Sequence, residues 1–136
     1  MARILIVDDS PSQLLGIQRI VEKMGHTTYT ATDGASGVEV AKDMLPDLIL
    51  MDVVMPNLNG FQATRTIKRE PTTTHIPVIL VTTKDQDTDR LWGMRQGAMA
   101  YITKPFSEEE LSSVIAKVFS GSAADDANES APPPEA

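Results

Sequence analysis

Asp8-Asp9 directly follows the apolar run ILIV at 4–7, and Asp52 directly follows LILM at 48–51. Two further runs stop at polar residues, one at Thr82-Thr83 and the other at Thr103-Lys104-Pro105. In an open parallel sheet the ligand site lies beyond the carboxyl ends of the strands, so all of these residues are candidates for one constellation. Three carboxylates brought together repel one another and resist ionisation unless a cation sits among them. Oxygen donors with no His or Cys nearby favour a hard ion, Mg2+ ahead of Mn2+ or Ca2+, keeping several waters. Lys104 and Thr82 add a positive charge and a hydroxyl, both suited to the oxygens of a phosphoryl group. The chemistry this set suits is phosphoryl transfer, with a carboxylate attacking in line to give an acyl phosphate. Singly, each residue has an ordinary explanation: an Asp at a strand end is commonly a helix cap, and Lys104 alone is a solvated lysine. Their joint placement at successive strand ends is what carries the reading.

The elements that must position these residues are legible from apolar patterning. The runs at 4–7, 48–51, 78–81 and 101–102 lack alternation and read as strands buried on both faces, whereas the more polar 27–31 reads as an edge strand. Helical segments fall between them at about 10–24, 34–44, 59–69, 88–96 and 107–119. The first opens on Ser10-Pro11-Ser12-Gln13, where Ser10 can cap, Pro11 suits the first turn and Gln13 can reach back, and Gly25 supplies a stop. Ser107 and Glu110 form a second capping box ahead of the stripe Leu111, Val114, Ile115 and Val118. His26 and His75 read as turn residues, and Trp92, Met94 and Met99 as packing. Regular alternation of strand and helix implies an α/β fold, a doubly wound parallel sheet of five strands with five helices on its two faces.

Composition bounds the function class. At 136 residues, 41% apolar, one core is expected, and a net charge of -7 argues against nonspecific nucleic-acid or anionic-membrane binding. The absence of Cys fits a reducing compartment, and no apolar stretch approaches the roughly 20 residues of a spanning helix, so a cytoplasmic location is expected with no membrane insertion. Residues 122–136 shift to Ala, Ser, Pro, Asn and acids, including Asp125, Asp126, Glu129 and Glu135. That composition predicts a disordered tail behind a single domain at 1–121.

Asp8-Asp9, Asp52 followed by Met55-Pro56 and Gly60, Thr82, and Lys104-Pro105 together resemble the receiver domains of two-component response regulators, the CheY-like family. The match runs over about 2–120. The resemblance implies a flavodoxin-like strand order of 2-1-3-4-5 and a phosphoacceptor role for Asp52, charged from the phosphohistidine of a histidine kinase. It implies Mg2+ held by Asp9 and Asp52 with the Val54 carbonyl, and by Asp8 mainly through water. Lys104 would pair with the phosphoryl oxygens, helped by the Thr82 hydroxyl and the Thr83 backbone amide, and the Lys104-Pro105 bond would be cis. Thr82 and Tyr101 would form the switch, altering the face made by the fourth helix, fifth strand and fifth helix. The stretches DVVMPNLNGFQATR and TTKDQDTDRLWGMRQGAMAYITKPF look most like the PilH-type regulators of type IV pilus twitching motility.

On that resemblance the chain is a stand-alone phosphoacceptor regulator and no enzyme beyond Mg2+-dependent self-phosphorylation and autodephosphorylation. Its partners would be a chemotaxis-type histidine kinase and a pilus motor or signalling protein. Val54 and Lys84 stand where flagellar chemotaxis regulators often carry Asn and Glu, positions that influence acyl-phosphate lifetime. A flagellar-type regulator and a phosphate sink draining a shared kinase are the alternatives within the family. An aspartyl-nucleophile phosphatase would need a second Asp at the position of Val54. A flavin or nucleotide carrier would need a Gly- and Ser-rich cradle where Asp8-Asp9-Ser10-Pro11-Ser12 stands.

Overall fold

The computed structural model describes residues 1–121, so the tail expected at 122–136 lies outside the described residues. Five strands, β1 (Arg3–Val7), β2 (Thr27–Ala31), β3 (Leu48–Met51), β4 (Val78–Thr82) and β5 (Ala100–Thr103), pair in parallel in the order β2-β1-β3-β4-β5. The helices are α1 (Pro11–Lys23), α2 (Gly34–Met44), α3 (Gly60–Arg69), α4 (Asp87–Arg95) and α5 (Glu108–Ser120). Because side chains alternate across a strand, β1 sends Leu5 and Val7 to one face and Ile4 and Ile6 to the other. The first face packs on α2 and α3 through Val38, Ala41, Phe61, Ala63 and Ile67, with Met94 of α4 at its margin. The second packs on α1 and α5 through Ile17, Val21, Leu111 and Ile115. Strands β1 (from Ile4 on), β3 and β4 are thereby buried on both faces, as their unbroken apolar runs predict.

Four local expectations are corrected. β5 alternates buried and half-buried residues and is not fully enclosed on both faces, because it is the sheet's other edge and Tyr101 is only half-buried where it packs on the first face. Ser10 makes no side-chain cap: its N–H donates to Asp8 Oδ1 at 2.9 Å, its Oγ lies 3.4 Å from Ser12 Oγ, and Gln13 turns elsewhere. Of the box at α5 only the Ser107 half forms, its Oγ accepting the Glu110 N–H at 3.0 Å, while a full reciprocal box caps α3 through Asn59 and Gln62. Trp92 and Met99 are exposed on α4 and the loop after it instead of packing inside. His26 and His75 do lie between elements, as expected. Among the described residues no helix is long and apolar enough to cross a membrane.

Candidate functional site

Register builds the site. Val7 pairs with Ala31 and Met51, Met51 with Leu80, and Thr82 with Thr103, so the residues that follow β1, β3 and β5 emerge side by side with Thr82 among them. The ladder continues one step past the strands: Asp52 N–H donates to Val7 O at 2.9 Å, and Lys104 N–H donates to Thr82 O at 2.8 Å. A parallel pairing in this register therefore brings Asp8, Asp52 and Lys104 together from positions up to 96 residues apart.

Asp8 and Asp52 are buried and Asp9 is exposed, and one carboxylate oxygen from each lies within 4.8 Å of the others. Asp8 is fully committed: Oδ1 accepts the Ser10 N–H, and Oδ2 accepts from Lys104 Nζ at 2.7 Å. Asp52 is less satisfied, with Oδ1 at 3.3 Å from the Val54 N–H and Oδ2 at 3.6 Å from Lys104 Nζ. Burial pushes the Asp52 carboxyl above its ordinary range and the Asp8 charge adds to that push, against the pull of Lys104 and of the Val54 and Val53 amides. An underserved buried carboxylate beside two others, with oxygen donors only, fits a small divalent cation such as Mg2+.

Thr82 is fully buried, its Oγ1 accepting the Lys84 N–H at 3.3 Å, and the neighbouring Thr83 is exposed. The Val54 side chain is exposed, leaving its backbone beside Asp52. The Tyr101 hydroxyl donates to Lys84 O at 2.7 Å, and the Arg90 guanidinium lies 5.2 Å from its ring centre. Burial foremost, then the Asp89 charge, pushes this hydroxyl up to about 12, with Arg90 opposing. The Lys104-Pro105 bond is cis.

All the carboxylates, both threonines and the lysine named from sequence thus gather at one end of the sheet, with Tyr101 at its rim. Gln13 is the contact that sequence reading missed. Its Oε1 accepts from Lys104 Nζ, although its place three residues after Ser10 suggested a cap. A signal was present: Gln13 stands four residues before the buried Ile17, so both share the helix face turned to the sheet.

The response regulator receiver domain family matches residues 4–116. Protein PilH of Pseudomonas aeruginosa is 54% identical over 121 residues, which cover 89% of this chain and 100% of that protein. Among solved structures, the chemotaxis protein CheY4 of Vibrio cholerae superposes with a TM-score of 0.82 at 29% identity, covering 87% of this chain and 98% of its own. The receiver domain of a Pseudomonas aeruginosa sensor histidine kinase, solved with a magnesium ion coordinated in its active-site cleft, gives 0.80 at 31% identity, covering 88% and 98%.

Proposed function

The chain belongs to the response regulator receiver domain family, and on that premise we propose that it is a phosphorylation switch charged on Asp52 by a histidine kinase. The observation that carries the reading is the Lys104 ammonium reaching both Asp8 and Asp52 in a pocket of three carboxylates. In the transfer, an Asp52 oxygen bonds to phosphorus as the P–N bond of phosphohistidine breaks, and the electron pair leaves with the imidazole, which then takes up a proton. Lys104 neutralises the phosphoryl oxygens, and the Thr82 hydroxyl and the Thr83 backbone amide donate to them. Asp9, Asp52 and the Val54 carbonyl would hold Mg2+, with Asp8 acting through water, and the ion would supply further neutralising charge.

The same reading makes Thr82 and Tyr101 the switch. A new dianion can shift an equilibrium only through contacts that differ between states. Thr82 moving to the phosphoryl group gives up the Lys84 N–H and opens space for Tyr101, which in turn gives up Lys84 O. The face made by α4, β5 and α5 then changes for its partner. Similarity to PilH over that protein's whole length accords with the PilH-type resemblance of the sequence, and on that resemblance the receiver domain at 1–121 takes a role in type IV pilus twitching motility, in the cytoplasm. This makes the protein a signalling regulator and not a catalyst of turnover. Acetyl phosphate with Mg2+ should label the chain with one phosphoryl group, and Asp52→Ala should abolish the label. Undiminished labelling of Asp52→Ala would reject the assignment. A strain lacking the protein should regain normal twitching with the wild-type chain and not with Asp52→Ala; equal rescue by both would remove phosphorylation from the motility role.

A further inference from the structure

We propose that Gln13 is a positioning residue for Lys104, tethering its ammonium to α1 so that it stands ready for the phosphoryl oxygens; this rests on the receiver reading above. The Lys104 side chain is only 9% exposed, and its ammonium has three oxygen partners: Asp8 at 2.7 Å, Gln13, and Asp52 at 3.6 Å. Two of the three belong to the carboxylate cluster. When those carboxylates turn to a cation or to a phosphoryl group, their hold on the lysine weakens. Gln13 is neutral and lies outside the cluster, so its carbonyl keeps the same partner in either state.

The tether is also well founded. Gln13 sits one turn before Ile17 and two before Val21, whose burial against the sheet fixes α1 and with it the origin of the Gln13 side chain. Nothing at Ser10 competes for that side chain, because the Ser10 N–H is taken by Asp8. A lysine that does not have to reorganise stabilises developing charge more effectively than one free to swing.

Gln13→Met keeps length and helix preference while removing the acceptor. With saturating Mg2+ and acetyl phosphate, this variant should phosphorylate about tenfold more slowly than wild type, the loss of one charged hydrogen bond. In a Lys104→Ala background the same substitution should change the rate by less than about twofold, because the residue through which it acts is gone. In Mg2+-free protein, NMR should show the Lys104 ammonium protons exchanging faster in Gln13→Met and remaining protected in Gln13→Glu, which retains an acceptor. Equal slowing in both backgrounds, or an unchanged rate with unchanged exchange, would overturn the proposal. If the wild-type chain accepts no phosphoryl group at all, the receiver reading fails, and ammonium exchange still decides whether Gln13 holds the lysine.

Discussion

The Asp52 carboxyl shows what the sequence conveys at the scale of single residues and what it does not. Its type and its place directly after β3 are written in the chain, but its raised pKa arises from burial and from Asp8, which only the folded register supplies. The sign follows from proton linkage. Between the ordinary carboxyl value of 3.8 and the raised folded value the native state holds the extra proton, so Asp52 loses the fold stability as pH rises through that window. At neutral pH without Mg2+, Asp52→Asn should therefore raise Tm by a few degrees, and the gain should vanish below the unfolded carboxyl's pKa. Adding Mg2+ should raise the Tm of wild type more than that of Asp52→Asn, since a ligand that binds only the folded form stabilises it. A melting series over pH with and without the ion checks both. His26 runs the other way: burial foremost, then the N-terminal amine, lowers its pKa, and its Nδ1 accepts the Ala2 N–H at 3.0 Å. Its contribution is present above the ordinary value of 6.5 and fades as pH falls below it, so His26→Gln should flatten the loss of Tm between neutral and mildly acid pH. Gln13 was misread because a side chain's choice between a local cap and a distant lysine is made by tertiary structure.

Among the elements, the strands buried on both faces were readable because an unbroken branched apolar run has little alternative in an α/β chain. β5 was not, because an edge strand of four residues carries too short a pattern to show its alternation. The loop from β3 to α3 holds a constraint that the sequence signals only as a glycine. A Cβ on Gly60 would lie 2.0 Å from Asp52 O and 2.7 Å from Val53 Cα, so α3 can begin where it does only without a side chain there. The atoms in the way are backbone and cannot rotate aside. Gly60→Ala should cost about 2 kcal/mol or more in urea unfolding and should slow phosphorylation by displacing Asp52. An unchanged urea midpoint would show that the loop yields freely.

For the whole molecule, the gathering of Asp8, Asp9, Asp52, Thr82 and Lys104 was legible because strand ends in a parallel sheet share one edge, whereas the strand order followed only from the resemblance to receiver domains. The resting contacts of the proposed switch were not legible, since Tyr101 bonding to Lys84 O joins residues on different elements. The exposure of Trp92 was likewise hidden, because a large apolar side chain on a helix is more often inside. Trp92 is the single tryptophan of the chain and stands on α4, within the face proposed to change. Its fluorescence should shift on phosphorylation in wild type, should not shift in Asp52→Ala, and should shift less in Tyr101→Phe, whose ring cannot bond to Lys84 O in the resting state. The most direct test of the account is a phosphotransfer time course from a histidine kinase labelled on its histidine, with Mg2+ present. Label should leave the kinase and appear on this chain at Asp52 alone, with no transfer to Asp52→Asn; label that stays on the kinase, or that reaches the variant as fast as wild type, would contradict it.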